Sequence, residues 1–372
     1  GGVQGYFTRL RETGLYVISA EDEKTSPYYG VPYTSIGKKH ANEVGFFVQD
    51  EWNVTPKLTV VPGIRIDSHS SGEEYTTSVK VSDSAFPTTK FSKTTVNPRI
   101  AIKYELTPSL VLRANVGTGF RAPYGFSEDL HLCSGSPRVW KSSNLKGERA
   151  ISYNLSADYY AKKYQFSINI FRTNLKDKIQ FSPADDEVKK FGYSYQWENV
   201  DDAYVQGVEL GAKANLFRNF NAGINWTFNQ GKFKHERADW SDPNDETVKE
   251  FPQRLQYAKD SRNISRFPAM TGDIDLDYTP GTWTFSLTSS LQGRMFIDYN
   301  SEDDGATSKI KKTNTFMIFN CRAAKRFGTC TVYAGAKNIF SYIQDEKHTD
   351  DAAFMYAPVY GATWYVGLSV KL

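Results

Sequence analysis

The chain has 372 residues, 40% hydrophobic and 15% aromatic, with 23 Tyr, 24 Phe and a net charge of only +3. So even a balance gives no ground for a nucleic-acid partner. No run reaches the ~18 apolar residues that a membrane helix needs. A membrane β-barrel stays open, because its strands are polar on one face and average hydropathy hides them.

Fourteen strands are predicted in chain order, near 2–10, 43–54, 57–68, 94–106, 109–118, 149–161, 164–180, 195–216, 219–231, 264–278, 282–298, 312–325, 329–340 and 361–372. The period is two throughout. In Gly207–Leu216 the residues Val208, Leu210, Ala212, Ala214 and Leu216 alternate with Glu209, Lys213 and Asn215. Trp364, Val366, Leu368 and Val370 repeat the pattern at the other end of the chain. Successive strand side chains point to opposite faces, so each strand has one apolar and one polar face. A soluble sandwich also alternates, but its strands are usually five or six residues long, and these are nearer ten.

Short turns fall at Thr55-Pro56, Thr107-Pro108, Lys162-Lys163, Phe217-Arg218, Pro280-Gly281 and Arg326–Gly328. Long polar loops fall at 11–42, 69–93, 119–148, 181–194, 232–263, 299–311 and 341–360. Strict alternation of short and long connections is the pattern of an all-β, transmembrane antiparallel barrel, with short periplasmic turns and long outer loops. The whole chain, 1–372, is expected to be one such barrel portion. The three cysteines, Cys133, Cys321 and Cys330, do not make a disulfide framework. Cys321 falls on the apolar parity of its strand and is expected to face lipid, and Cys330 on a register that does not match it. Gly1 begins inside a strand-like pattern without a leader, so the chain is expected to be a fragment or a cut, mature form.

Several stretches add a resemblance. Phe120-Arg121-Ala122-Pro123 resembles the FRAP box of TonB-dependent outer-membrane transporters, and Ser142-Ser143-Asn144-Leu145-Lys146-Gly147-Glu148 their NPNLKPE box, with Ser143 and Gly147 where the family has proline. Phe47–Trp52 with Leu58–Arg65 is similar to the family's QDEW hairpin. Asn199-Val200 with Gly207–Leu210 is similar to its NxxxxxGVEL strand, and Ala336–Phe340 to its terminal hairpin. The resemblance implies about 14 strands of a 22-stranded, plugged barrel, with the plug and the TonB box outside this chain. It also implies active import of a scarce metal chelate (ferric siderophore, haem or cobalamin) powered through the TonB complex. Outer-membrane lipid and lipopolysaccharide are expected neighbours, and a surface lipoprotein is a further candidate partner. The alternatives are a passive porin and a ligand-binding or adhesion barrel.

Between the two boxes lie His131 and Cys133. A histidine in this interval resembles the haem receptors of the family, and imidazole is a common axial ligand to haem iron. An ordinary loop histidine over a packed Cys133 is the competing reading. Arg121, Tyr124, Trp140 and Trp240 are candidate ligand-binding residues of an aromatic rim suited to a flat chelate; an aromatic girdle at the lipid boundary would use the same residue types. The acidic runs Asp298–Gly305 and Asp242–Glu246 are solvated loops or weak calcium sites. No intrinsic cofactor is expected. GxSxG, HExxH, CxxC and a phosphate-binding glycine loop do not occur, so the sequence offers no enzyme chemistry.

Overall fold

A computed structural model describes residues 1–17, 29–79, 85–124, 139–191, 193, 195–300, 309–344 and 356–371. Its strands are β1 (Gly2–Tyr16), β2 (Tyr33–Gln49), β3 (Trp52–Thr55), β4 (Leu58–Thr77), β5 (Thr89–Thr107), β6 (Leu110–Arg121), β7 (Val139–Lys141), β8 (Glu148–Tyr160) and β9 (Tyr164–Pro183). They continue with β10 (Tyr195–Phe217), β11 (Phe220–Phe233), β12 (Met270–Tyr278), β13 (Trp283–Gln292), β14 (Phe296–Asn300), β15 (Lys309–Lys312), β16 (Phe316–Phe327), β17 (Cys330–Lys337) and β18 (Thr363–Val370).

Fourteen of these form one antiparallel path, β1-β2-β4-β5-β6-β8-β9-β10-β11-β12-β13-β16-β17-β18, each strand beside its successor. β3 adds to β4, β7 adds in parallel to β10, and β14 with β15 makes a separate hairpin. The count is that of part of a barrel.

The polarity of this wall is inside out relative to a soluble protein. Tyr164, Phe166, Ile168 and Ile170 of β9 and Trp364, Val366, Leu368 and Val370 of β18 are all exposed. The register places Ile168 beside Leu210 and Phe285 beside Tyr278, so the apolar residues of neighbouring strands share the outer face. Burying that face in lipid supplies the hydrophobic term that a soluble fold takes from its core. The inner face is a polar lattice. Asn154 donates to Asn115 at 3.0 Å, Asn169 to Glu209 at 2.9 Å, Asn225 to Asp273 at 2.8 Å and Ser286 to Asp277 at 2.6 Å.

Several predicted loops are strand instead. β1 runs to Tyr16, β2 starts at Tyr33, β4 reaches Thr77 and β5 starts at Thr89, so 11–16, 33–42, 69–77 and 89–93 continue the ladder above the membrane. Water meets one face there and buried polar groups such as Ser35, Lys39, Ser71 and Glu73 line the other, so the apolar alternation that marks the lipid band disappears although the backbone pairing goes on. The loop 232–263 holds three short helices, α1 (Ala238–Ser241), α2 (Glu246–Glu250) and α3 (Arg254–Tyr257). Small apolar clusters sit among the outer segments, such as Tyr33 with Ala85 and Phe86, where Tyr193 donates its hydroxyl to Ala85 O at 2.5 Å.

Candidate functional site at the outer mouth

The boxes read from the sequence converge at the outer ends of β6, β8 and β10. Arg121 closes β6 opposite Glu148 at the start of β8, with Nη1 3.2 Å from Glu148 Oε2, and Glu148 Oε1 accepts from Ile179 N at 2.8 Å. Tyr124 donates its hydroxyl to Ser142 O at 2.6 Å and accepts from Leu145 N at 2.9 Å. Burial pushes the Tyr124 phenol up to about 12, against the opposing Leu145 amide bond. Asn199 Nδ2 donates to Lys146 O at 3.0 Å and to Asp177 O at 2.8 Å, and its Oδ1 accepts from Lys146 N at 2.8 Å. The FRAP-like, NLKGE and NxxxxxGVEL stretches therefore brace one another, and their spacing reflects three strand ends meeting at one height.

Gly147 explains one departure from the family pattern. A Cβ there would lie 2.2 Å from Phe120 Cζ and 2.9 Å from Arg121 O. The Phe120 ring fills the place, packed against His69 at 4.9 Å and Phe91 at 6.0 Å between ring centroids.

Behind the boxes lies a buried charge cluster that sequence reasoning missed. Lys141 Nζ is 2.9 Å from Glu73 Oε1, Tyr75 donates to Glu73 Oε2 at 2.6 Å, and Lys39 Nζ is 2.7 Å from Glu12 Oε2. Burial alone would raise the Glu73 carboxyl, but Lys141, Lys39 and the Tyr75 hydroxyl outweigh it and hold the group below the ordinary carboxylate range. The signal that could have found it is the polar alternation of Asp67, His69, Ser71, Glu73 and Tyr75, which carries the inner face of β4 on beyond the lipid band.

The predicted site residues separate. Arg121 is half-exposed and stands at the mouth. Tyr124, 1% exposed with its hydroxyl used twice by the backbone, presents no surface to a ligand, and this corrects its place on an aromatic rim. Trp240 is corrected likewise: it is 2% exposed in α1, edge-on to Phe296 at 6.3 Å. The physical reason is the same for both, since a large ring in a long loop finds its own small core. Trp140 is half-buried against Ala184, Val188 and Tyr193. His131 and Cys133 lie outside the described residues, as does most of Asp298–Gly305. In the other acidic run, Asp245 accepts from Thr247 N at 2.9 Å and Asp242 from Asn244 N at 2.9 Å, so these carboxylates cap turns. Among the described residues no group of three or more His, Cys, Asp or Glu is arranged to hold a metal ion.

Residues 3–339 match the model of the TonB dependent receptor-like, beta-barrel family. The chain belongs to that family. Its members are receptors and transporters of the outer membrane, and this barrel portion is an outer-membrane structure. A vitamin B12 transporter BtuB of Photobacterium profundum is 26% identical over 266 residues, which cover 70% of this chain and 36% of that protein. The ferric yersiniabactin uptake receptor FyuA of Yersinia pestis superposes with a TM-score of 0.64 at 15% identity, over 98% of this chain and 49% of that one. The copper transporter OprC superposes with a TM-score of 0.62 at 17% identity, over 91% and 52%. The chain thus spans about a third to a half of the lengths it is compared with, and at these identities the superpositions speak for the fold.

Proposed function

We propose that this chain forms much of the wall and outer mouth of an active importer of a scarce metal chelate, driven through TonB. The observation that carries the reading is the braced junction of the FRAP-like, NLKGE and Asn199 segments over a polar inner wall, in a chain of this family. A braced mouth fixes the outer strand ends so that ligand-facing groups keep their geometry, and fixed groups lose less entropy on binding. The relatives' names, vitamin B12 transporter and ferric yersiniabactin receptor, point to metal chelates as the substrate class. His131 keeps haem among the candidates with ferric siderophores and cobalamin.

The test is uptake of labelled ferric siderophore, haem and cobalamin by cells carrying the intact receptor, with and without TonB. Saturable uptake of one chelate that vanishes without TonB is expected. Equal uptake in both strains, rising linearly with concentration, would make the barrel a passive pore. A haem Soret band in the extracted protein that is lost in His131→Ala would select haem.

A further inference from the structure

The outer face of β8–β11 changes character at one height. Rising from the short turns, β9 presents Phe166, Ile168 and Ile170, then Arg172, Asn174 and Lys176. β10 presents Leu210 and Val208, then Gln206 and Tyr204, and β11 presents Phe228, then Gln230 and Lys232, with Lys234 just past its end. The register aligns the change: Tyr153, Arg172, Gln206 and Gln230 form one row, and Ile151, Asn174, Tyr204 and Lys232 the next. Arg172 stands roughly 20 Å above the turn at Tyr164, from a rise of about 3.3 Å per residue and a tilt of about 40°. The apolar band of such barrels is about 25 Å tall, so these rows sit where acyl chains give way to headgroups.

Two grooves run between the rows. The lower, about 890 Å³, is walled by Ile100, Ile102, Leu155, Ile170, Val208 and Phe228. The upper, about 660 Å³, is walled by Arg149, Arg172, Lys176, Lys234 and Arg262, with Asp202 as its carboxylate. Asp202 Oδ1 is already engaged by Asp177 N at 3.1 Å. Arg172 is held in place: Nη1 donates to Gln206 Oε1 at 2.6 Å, Nε donates to Asn174 Oδ1 at 3.0 Å, and the guanidinium lies 4.3 Å from the Tyr204 ring centroid. Neither bond uses Nη2. Among the described residues, none of the five cations of the upper groove makes an ion pair.

We propose that this face is a docking site for lipopolysaccharide, the phosphorylated glycolipid of the outer leaflet, with its phosphates among Arg149, Arg172, Lys176, Lys234 and Arg262 and an acyl chain in the groove below. The charge and the apolar groove require one ligand bearing both an anionic head and long chains, and the height selects a membrane lipid. A preset guanidinium beside lysines matches phosphate oxygens. The site rests on the membrane placement of the wall and stands independently of what the barrel transports.

The test is native mass spectrometry of the intact receptor extracted from outer membranes, then exchanged into detergent. Wild-type protein should retain lipopolysaccharide. The variant Arg172→Gln with Lys176→Gln and Lys234→Gln should lose at least about tenfold in occupancy, since each cation near a charged lipid surface contributes measurably. Lys162→Gln with Lys163→Gln, at the opposite end of the wall, should retain it. Wild-type protein offered enzymatically dephosphorylated lipopolysaccharide should bind it at least about tenfold more weakly. This arm needs no mutation and decides the matter if the triple variant fails to fold. Equal retention of phosphorylated and dephosphorylated forms, or full displacement by equimolar phosphatidylglycerol, would overturn the assignment.

Discussion

Lys141 Nζ lies 2.9 Å from Glu73 Oε1, with both side chains almost wholly buried at 4% and 0% exposure, although 68 residues separate them in the chain. The pair ties β7, in the segment between the two boxes, to β4 in the barrel wall. Breaking a buried pair from one side leaves an uncompensated charge, which costs about 3–5 kcal/mol. Lys141→Met should therefore loosen β7, read as faster amide exchange at Val139–Lys141. Glu73→Gln combined with Lys141→Met removes both charges and should recover most of the protection. If the double variant is as loose as the single one, the pair is not the brace.

The same carboxyl sets a pH dependence. Its folded-state value is depressed below 4.5, so its contribution is fully present above about 4.5 and is lost as pH falls through the lower, folded value. Protection of β7 should be flat from pH 8 to 5 and decline only below 4.5. Exchange or limited proteolysis across that range reads it directly. A loss of protection between pH 7 and 5 would point to another group.

Gly147 stands where the family has proline, and the Phe120 ring occupies the space that a side chain would need. Gly147→Ala should destabilise by about 1–3 kcal/mol through overpacking, measured by chemical denaturation in detergent. Added to Phe120→Ala, the same change should cost much less. Purely additive effects in the cycle would show that the two residues do not compete for one site.

The lipid band was legible because its two faces meet different solvents, so Val208, Leu210 and Ala212 alternate with Glu209 and Lys213. Above the band one face meets water and the other carries buried polar groups such as Lys39 and Glu73, so Thr8–Tyr16 and Tyr33–Asn42 keep their pairing without apolar alternation. That is why Lys39, Glu73 and Lys141 were passed over, since a buried ion pair depends on register that the sequence does not display. The boxes marked the right place but not the roles within it. Tyr124 and Asn199 hold backbone there, which a motif spacing alone does not distinguish from ligand contact.

Asn199 makes three hydrogen bonds to the backbone of two other segments. Asn199→Ala orphans those groups at about 1–3 kcal/mol for each one buried. The variant should unfold at lower urea, with faster exchange at the Lys146 amide. Asn199→Asp, which keeps the acceptor but loses the donors, should fall between. An Ala variant with unchanged Lys146 exchange would remove Asn199 from the brace.

Cys321 offers a test of which face meets the membrane. It shares a groove with Leu276, Phe285, Leu287, Ala323, Ala334 and Trp364, all apolar and on the outer side of the wall. Cys330 pairs with Phe327 at the opposite, short-turn end, and both thiols are free. In intact outer membranes Cys321 should resist a charged maleimide and accept a membrane-permeant one. In protein unfolded by denaturant it should react with both, which controls for a thiol that is simply inert. Fast labelling by the charged reagent from either side would turn Cys321 toward water and, through the shared register, reverse the assignment of inner and outer faces for β13, β16 and β17 together.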